Sequence, residues 1–230
     1  YYRLTTDSMG YFRVDDFIRH LRYRIDVTAD GYVTCTRTEK IESGTYHIEL
    51  QKEGILSGLV KDSSGRPVQG VEMRLNPGGR RQPREDGEEG EDGRVARPLI
   101  TSTAGDGSYS FKKLKQGPSL VTFRKEGYIA ETLRVENVRS GETVNLPLVM
   151  YRPARISGKV LVEGLGIPAP DMDVAVQGAF NYSTVTYHDG TYSIGDIKPG
   201  TYYVRLNHRG FHALERSGVA IGEGDELRGN

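Results

Sequence analysis

Five histidines, one cysteine and a run of acids are the residues of this 230-residue sequence with the most obvious chemical capacity. His20, His47, His188, His208 and His212 show no HExxH spacing, and none is spaced with Cys35 as a zinc site requires. His208 and His212 flank Gly210 and are expected in a solvent-facing turn. A serine nucleophile needs a strained elbow such as GxSxG, and no such motif occurs. The acidic run Glu85 to Asp92 offers hard oxygen ligands but lacks the DxDxDG order with a distal Glu that shapes a calcium loop. A solvated loop is the expectation there, with calcium binding as the alternative. No catalytic residue, cofactor or metal site is expected in this chain.

Two subtler constellations remain. Lys61 follows one strand-like segment and Asn145 lies in a later one, the pair of residue types that an intramolecular isopeptide bond joins. That chemistry needs a buried carboxylate to move protons, and the segment Ser119 to Phe123 supplies none, so an ordinary surface Lys61 is expected. Tyr182 and Tyr187 are expected in a loop and edge region, where exposed rings could stack against sugars. These two tyrosines are the ligand-binding candidates, although tyrosine at alternate strand positions also serves core packing.

Any such residue has to be held by a fold, and composition narrows which. Lys and Arg total 31, as do Asp and Glu, so no global field draws in nucleic acid or an anionic membrane. With 29 Gly, 14 Tyr and no Trp, the chain is rich in turn formers and in residues that suit a half-buried pleated face. No run of about 18 consecutive apolar residues occurs, so no membrane insertion is expected. The chain opens on Tyr1 with no leader pattern and is read as a piece of a longer protein. Cys35 has no partner for an internal disulfide, which leaves the compartment open.

One pattern is written three times: a polar turn ending in Gly, alternating strands, then Gly followed by an aromatic. Its first copy runs from Thr6-Asp7-Ser8-Met9-Gly10 to Gly31-Tyr32, with Leu21, Tyr23, Ile25 and Val27 alternating. The second runs from Gly107-Ser108-Tyr109 to Gly127-Tyr128, and the third from Gly190-Thr191-Tyr192 to Gly210-Phe211. The interval from turn Gly to terminal Gly is nearly constant across the three copies. Gly107 to Gly190 and Gly141 to Gly224 span one and the same interval, whereas Gly10 to Gly107 and Gly44 to Gly141 share a longer one, so the middle copy carries an insertion. That insertion, at about 77–98, is charged and Gly-rich and buries nothing apolar, so it is expected to be a mobile loop.

The later copies each begin with a further block. These are Leu56-Ser57-Gly58-Leu59-Val60 followed by Gly65 to Val71, and Ile156-Ser157-Gly158-Lys159-Val160 followed by Gly166-Ile167-Pro168-Ala169-Pro170. With Thr103 to Phe111 and Gly127-Tyr128, the middle copy resembles the carboxypeptidase regulatory-like domain, also called transthyretin-like or prealbumin-like. The third copy departs from the pattern at Pro168-Ala169-Pro170, and no threonine is assigned to its turn.

The resemblance implies a seven-stranded β-sandwich with no catalytic residues of its own. The expected fold is therefore all-β, with tandem antiparallel Ig-like or prealbumin-like sandwich modules, one partial, one complete and one nearly complete. The expected divisions are 1–54, the C-terminal part of a first module; 55–152, a complete second; and 153–230, a third lacking its last strand. A sandwich hosts many functions. The expectation is a structural or interaction module of a larger exported protein, extracellular, surface-borne or periplasmic. Its partners are then neighbouring domains of the same chain, with another protein or a glycan as further partners. A carbohydrate-binding accessory module of a secreted hydrolase is the alternative.

Overall fold

The computed structural model describes residues 3–229 apart from 16, 19, 43 and 79–96, so the acidic run 85–92 and most of the insertion lie outside the described residues. Among the described residues there is no helix. All regular structure is strand, as the alternation of apolar and polar residues requires.

Ahead of residue 54 lies one hairpin, β1 (Arg22–Val27) and β2 (Cys35–Lys40), paired from Arg22↔Lys40 to Val27↔Cys35. In the second module β3 is Gly54–Asp62, β4 Glu72–Pro77, β5 Leu99–Ser102 and β6 Ser108–Leu114. It continues with β7 (Gly117–Arg124), β8 (Glu131–Val138), β9 (Thr143–Asn145) and β10 (Leu148–Met150). One sheet has the order β5-β4-β7-β8; in the other, β3 is flanked by β6 on one edge and by β9 and β10 in succession on the other. The third module repeats this with β11 (Ala154–Lys159), β12 (Asp173–Gln177), β13 (Asn181–Val185) and β14 (Thr191–Ile197). Then follow β15 (Gly200–Asn207), β16 (Leu214–Ile221) and β17 (Glu226–Gly229), in sheets β13-β12-β15-β16 and β14-β11-β17.

The all-β sandwich architecture is as expected, and its hairpin pairings are antiparallel. The closing strands add a correction of detail: β9 and β10 run parallel to β3, and β17 runs parallel to β11. After β8 the chain crosses from one sheet to the other, and a strand arriving by crossover lies alongside the first strand rather than folding back on it.

Each of the two later modules has its own core. In the second, Leu56, Val60, Val71, Met73, Leu75, Val121, Phe123 and Met150 are fully buried between the two sheets. β4 shows how the sequence does this: Met73 and Leu75 turn inward while Glu72 and Arg74 stay in water. The third core gathers Ile156, Val174, Val176, Ile194, Ile197 and Tyr202. Each buried aliphatic or aromatic side chain contributes roughly 1.5–3 kcal/mol.

The recurrent turn glycine has a steric cause. Gly107 and Gly190 have φ of +78° and +77°, and a Cβ on either would lie 2.5 Å from the carbonyl oxygen of Val60 or Val160. Those carbonyls belong to the chain that passes under the turn, and the Val60 and Val160 amides donate back to the glycine oxygens at 2.9 Å. Four positions earlier, a buried threonine clasps the same corner. The Thr103 hydroxyl donates to the Val68 carbonyl at 2.7 Å and accepts from the Val71 amide at 2.9 Å. The Thr186 hydroxyl donates to the Ala169 carbonyl at 2.7 Å and accepts from the Met172 amide at 2.9 Å. The third module thus carries the motif's threonine, at the same distance ahead of its glycine.

Replacing that hydroxyl by a methyl group leaves a buried amide and a buried carbonyl without this partner. Thr103→Val and Thr186→Val are each expected to cost about 1–3 kcal/mol, read as a lowered urea midpoint. An unchanged midpoint in both would show that the clasp carries no stability.

Candidate functional site at the junction of the second and third modules

The structure does not assemble the isopeptide pair. Asn145 sits opposite Ser57 and Lys61 opposite Val149, four positions further along β3, or about 13 Å at ~3.3 Å per residue. Both side chains are exposed. Among the described residues no group of three His, Cys, Asp or Glu side chains is arranged to hold a metal.

Tyr182 and Tyr187 are placed apart. Tyr182, on β13, packs against the third core, edge-on to Tyr202 with ring centroids 6.1 Å apart. Tyr187 begins the turn before β14 and is 64% exposed. They do not share a face, because the buried Thr186 sets the parity and Tyr187 points the other way.

Tyr182 instead supports a different arrangement. Its hydroxyl accepts from the Lys198 amide at 3.1 Å, and the Tyr202 hydroxyl donates to the Lys198 carbonyl at 2.8 Å. Burial, with Tyr182 beside it, pushes the Tyr202 pKa up to about 12, so this donor keeps its proton. The hairpin between β14 and β15 is thereby pinned from below, and Lys198 projects from it.

Lys198 projects toward the second module. Its Nζ lies 2.8 Å from Glu131 at the start of β8, and the two side chains are only 15% and 18% exposed. The same ammonium stands 4.2 Å from the centre of the Phe180 ring, a cation–π contact that helps offset its lost hydration. A second contact comes from Glu223, in the turn before β17. One carboxylate oxygen accepts from the Arg152 amide at 2.7 Å, and the other accepts from the Ser63 hydroxyl of the second module. The turn 124–130, just ahead of Glu131, and Asp196, two residues before Lys198, line an open recess of about 500 Å³.

Ser63 is presented by a turn built on Asp62. That carboxylate accepts from the Ser64 hydroxyl at 2.6 Å, from the Ser64 and Arg66 amides at 3.0 and 2.9 Å, and from Arg66 Nε at 3.1 Å. The Ser64 hydroxyl foremost, and then Arg66, hold its pKa down to about 2. Neither this turn nor the Lys198–Glu131 pair stands out in the sequence. The one linear signal is positional: Lys115 precedes Lys198 by the same interval that separates Gly107 from Gly190, and so occupies the corresponding hairpin of the second module.

Residues 155–230 match the family model of the carboxypeptidase regulatory-like domain. No curated protein matches the chain. Among solved structures, the Bacillus anthracis TIE protein is 12% identical with a TM-score of 0.35, over 90% of this chain and 40% of that one. This chain therefore spans well under half the length of that protein. A streptococcal ancillary pilin is 13% identical with a TM-score of 0.32, over 92% and 75% of the two chains. The minor pilin of Streptococcus agalactiae is 13% identical with a TM-score of 0.33, over 76% and 93%.

Because the folded pKa of Asp62 lies below its unfolded value, its contribution is complete above about pH 4 and is lost as the pH falls toward 2. The stability difference between the natural chain and Asp62→Asn is expected to shrink across that window, measured by urea titration at each pH. A difference that stays constant down to pH 2 would contradict the assignment.

Proposed function

We propose that this chain is a non-catalytic spacer: tandem β-sandwich modules, divided at about 54 and 152, stacked end to end to hold other domains of a larger exported protein at a set distance and angle. The observation that carries this reading is the junction. A largely buried ion pair spans it, and Glu223 bridges the linker residue Arg152 and the second-module turn at Ser63. A flexible tether needs neither contact, and burying two charges is unfavourable unless their geometry is held. At the earlier boundary the Ser140 hydroxyl donates to the Lys52 carbonyl, from the turn position at which Glu223 accepts from the Arg152 amide.

The family match over 155–230 supports the same reading, since the domain model covers a sandwich rather than a catalytic unit. The partners in this reading are the flanking domains of the same polypeptide.

The test is a distance measurement. Spin labels at exposed Ser110 and Ser193, in a Cys35→Ser background, are expected to give one narrow distance distribution. Lys198→Ala combined with Glu223→Ala is expected to widen it at least twofold while both modules stay folded. A distribution already broad in the natural chain would sink the rigid-spacer reading.

A further inference from the structure

The second module receives the third through two elements at one end: the turn at 62–66, which offers Ser63, and the turn into β8, which offers Glu131. The third module has the same two elements at its own far end. Its turn at 162–166 is closed by Val162 and Ile167, as the Asp62 turn is closed by Arg66, and its turn into β16 runs from His208 to Leu214. The residues there are of a different kind. Leu161, Leu165, Ile167, Phe211 and Leu214 are all exposed, and Leu214 follows Glu131 by the interval that separates Gly107 from Gly190, which puts it in the place of Glu131. Surface leucines scattered singly need no explanation, but five large apolar residues on the two elements that form an interface one module earlier do.

We propose that this end of the third module is the seat of a further β-sandwich module carried in line after it, docked as the third module docks on the second but through an apolar contact in place of the ion pair. Continuity with the existing junction identifies the occupant. The strand register agrees: β17 pairs with β11 as β9 pairs with β3, so β17 runs along β11 in the direction in which β9 runs along β3 toward the second module's junction. A partner module that matches this seat carries an apolar residue at the hairpin position of Lys198, because Leu214 offers an ammonium no counter-charge where Glu131 does.

The inference rests on the stacked reading of the junction between modules two and three, and its test keeps the two separable. The full chain is extended in register after Asn230 by a copy of residues 148–230 carrying Lys198→Leu. Labels at the two Ser193 positions are expected to report the same separation, with the same narrow width, as the Ser110–Ser193 pair in the unextended chain. A second extended chain keeps Lys198 in the copy and carries Leu214→Glu in the seat, which recreates the Glu131–Lys198 contact. A third keeps both Lys198 and Leu214, and its distribution is expected to be at least twice as wide.

Equal, broad distributions in all three would overturn the seat. So would docking only where the ion pair is rebuilt. An extension that stays unfolded counts against it too, because the same residues fold when they follow the second module. If the Ser110–Ser193 distance is itself broad, the stacked reading fails independently of the seat.

Discussion

Each of the two later sandwiches is closed at one corner, where a tight turn lies directly on the backbone of the module's first strand. At Gly107 and Gly190 there is no room for a side chain, and the carbonyls of Val60 and Val160 occupy the space a Cβ would need. The threonine four positions earlier ties the same corner to the segment after the Pro-containing turn, so two stretches separated in sequence meet on one buried hydroxyl. From that point the strands can leave only in two layers, and the inward faces of β4, β7, β12 and β15 meet those of β3, β6, β11 and β14. The ends of the layers then define where one module meets another.

Much of this was written locally. The glycine corners of the two later copies and the in–out alternation of Met73 and Leu75 are properties of short windows, and short windows are what a sequence displays. The insertion is equally plain as an interruption of a constant spacing. The threonine of the third module was legible too, at the same distance from Gly190 as Thr103 is from Gly107.

The remainder depends on long-range geometry. Nothing in Thr143 to Asn145 or Leu148 to Met150 says that these strands run parallel to β3, because direction is set by how the chain crosses between sheets. Tyr182 illustrates the same limit. Its position in an edge hairpin is compatible with a ring offered to solvent, yet the side chain turns inward and its hydroxyl is taken up by the Lys198 amide. Glu131 and Lys198 lie far apart in the chain and are ordinary surface types by composition. They become a shielded pair only because two folded units are set against each other. Such contacts are visible once modules are placed, and hardly before.

The parallel closing strands have a mechanical consequence. In the second module the first strand, β3, and the last, β10, lie side by side in the same direction, paired from Val60↔Leu148 to Asp62↔Met150, with β9 continuing the ladder. Tension applied at the two ends of such a module slides these strands along each other, so the cross-links are loaded together rather than peeled one at a time. A hairpin pulled at its open end would unzip bond by bond. The topology that required a crossover therefore gives the second module a shear geometry between its first and last strands.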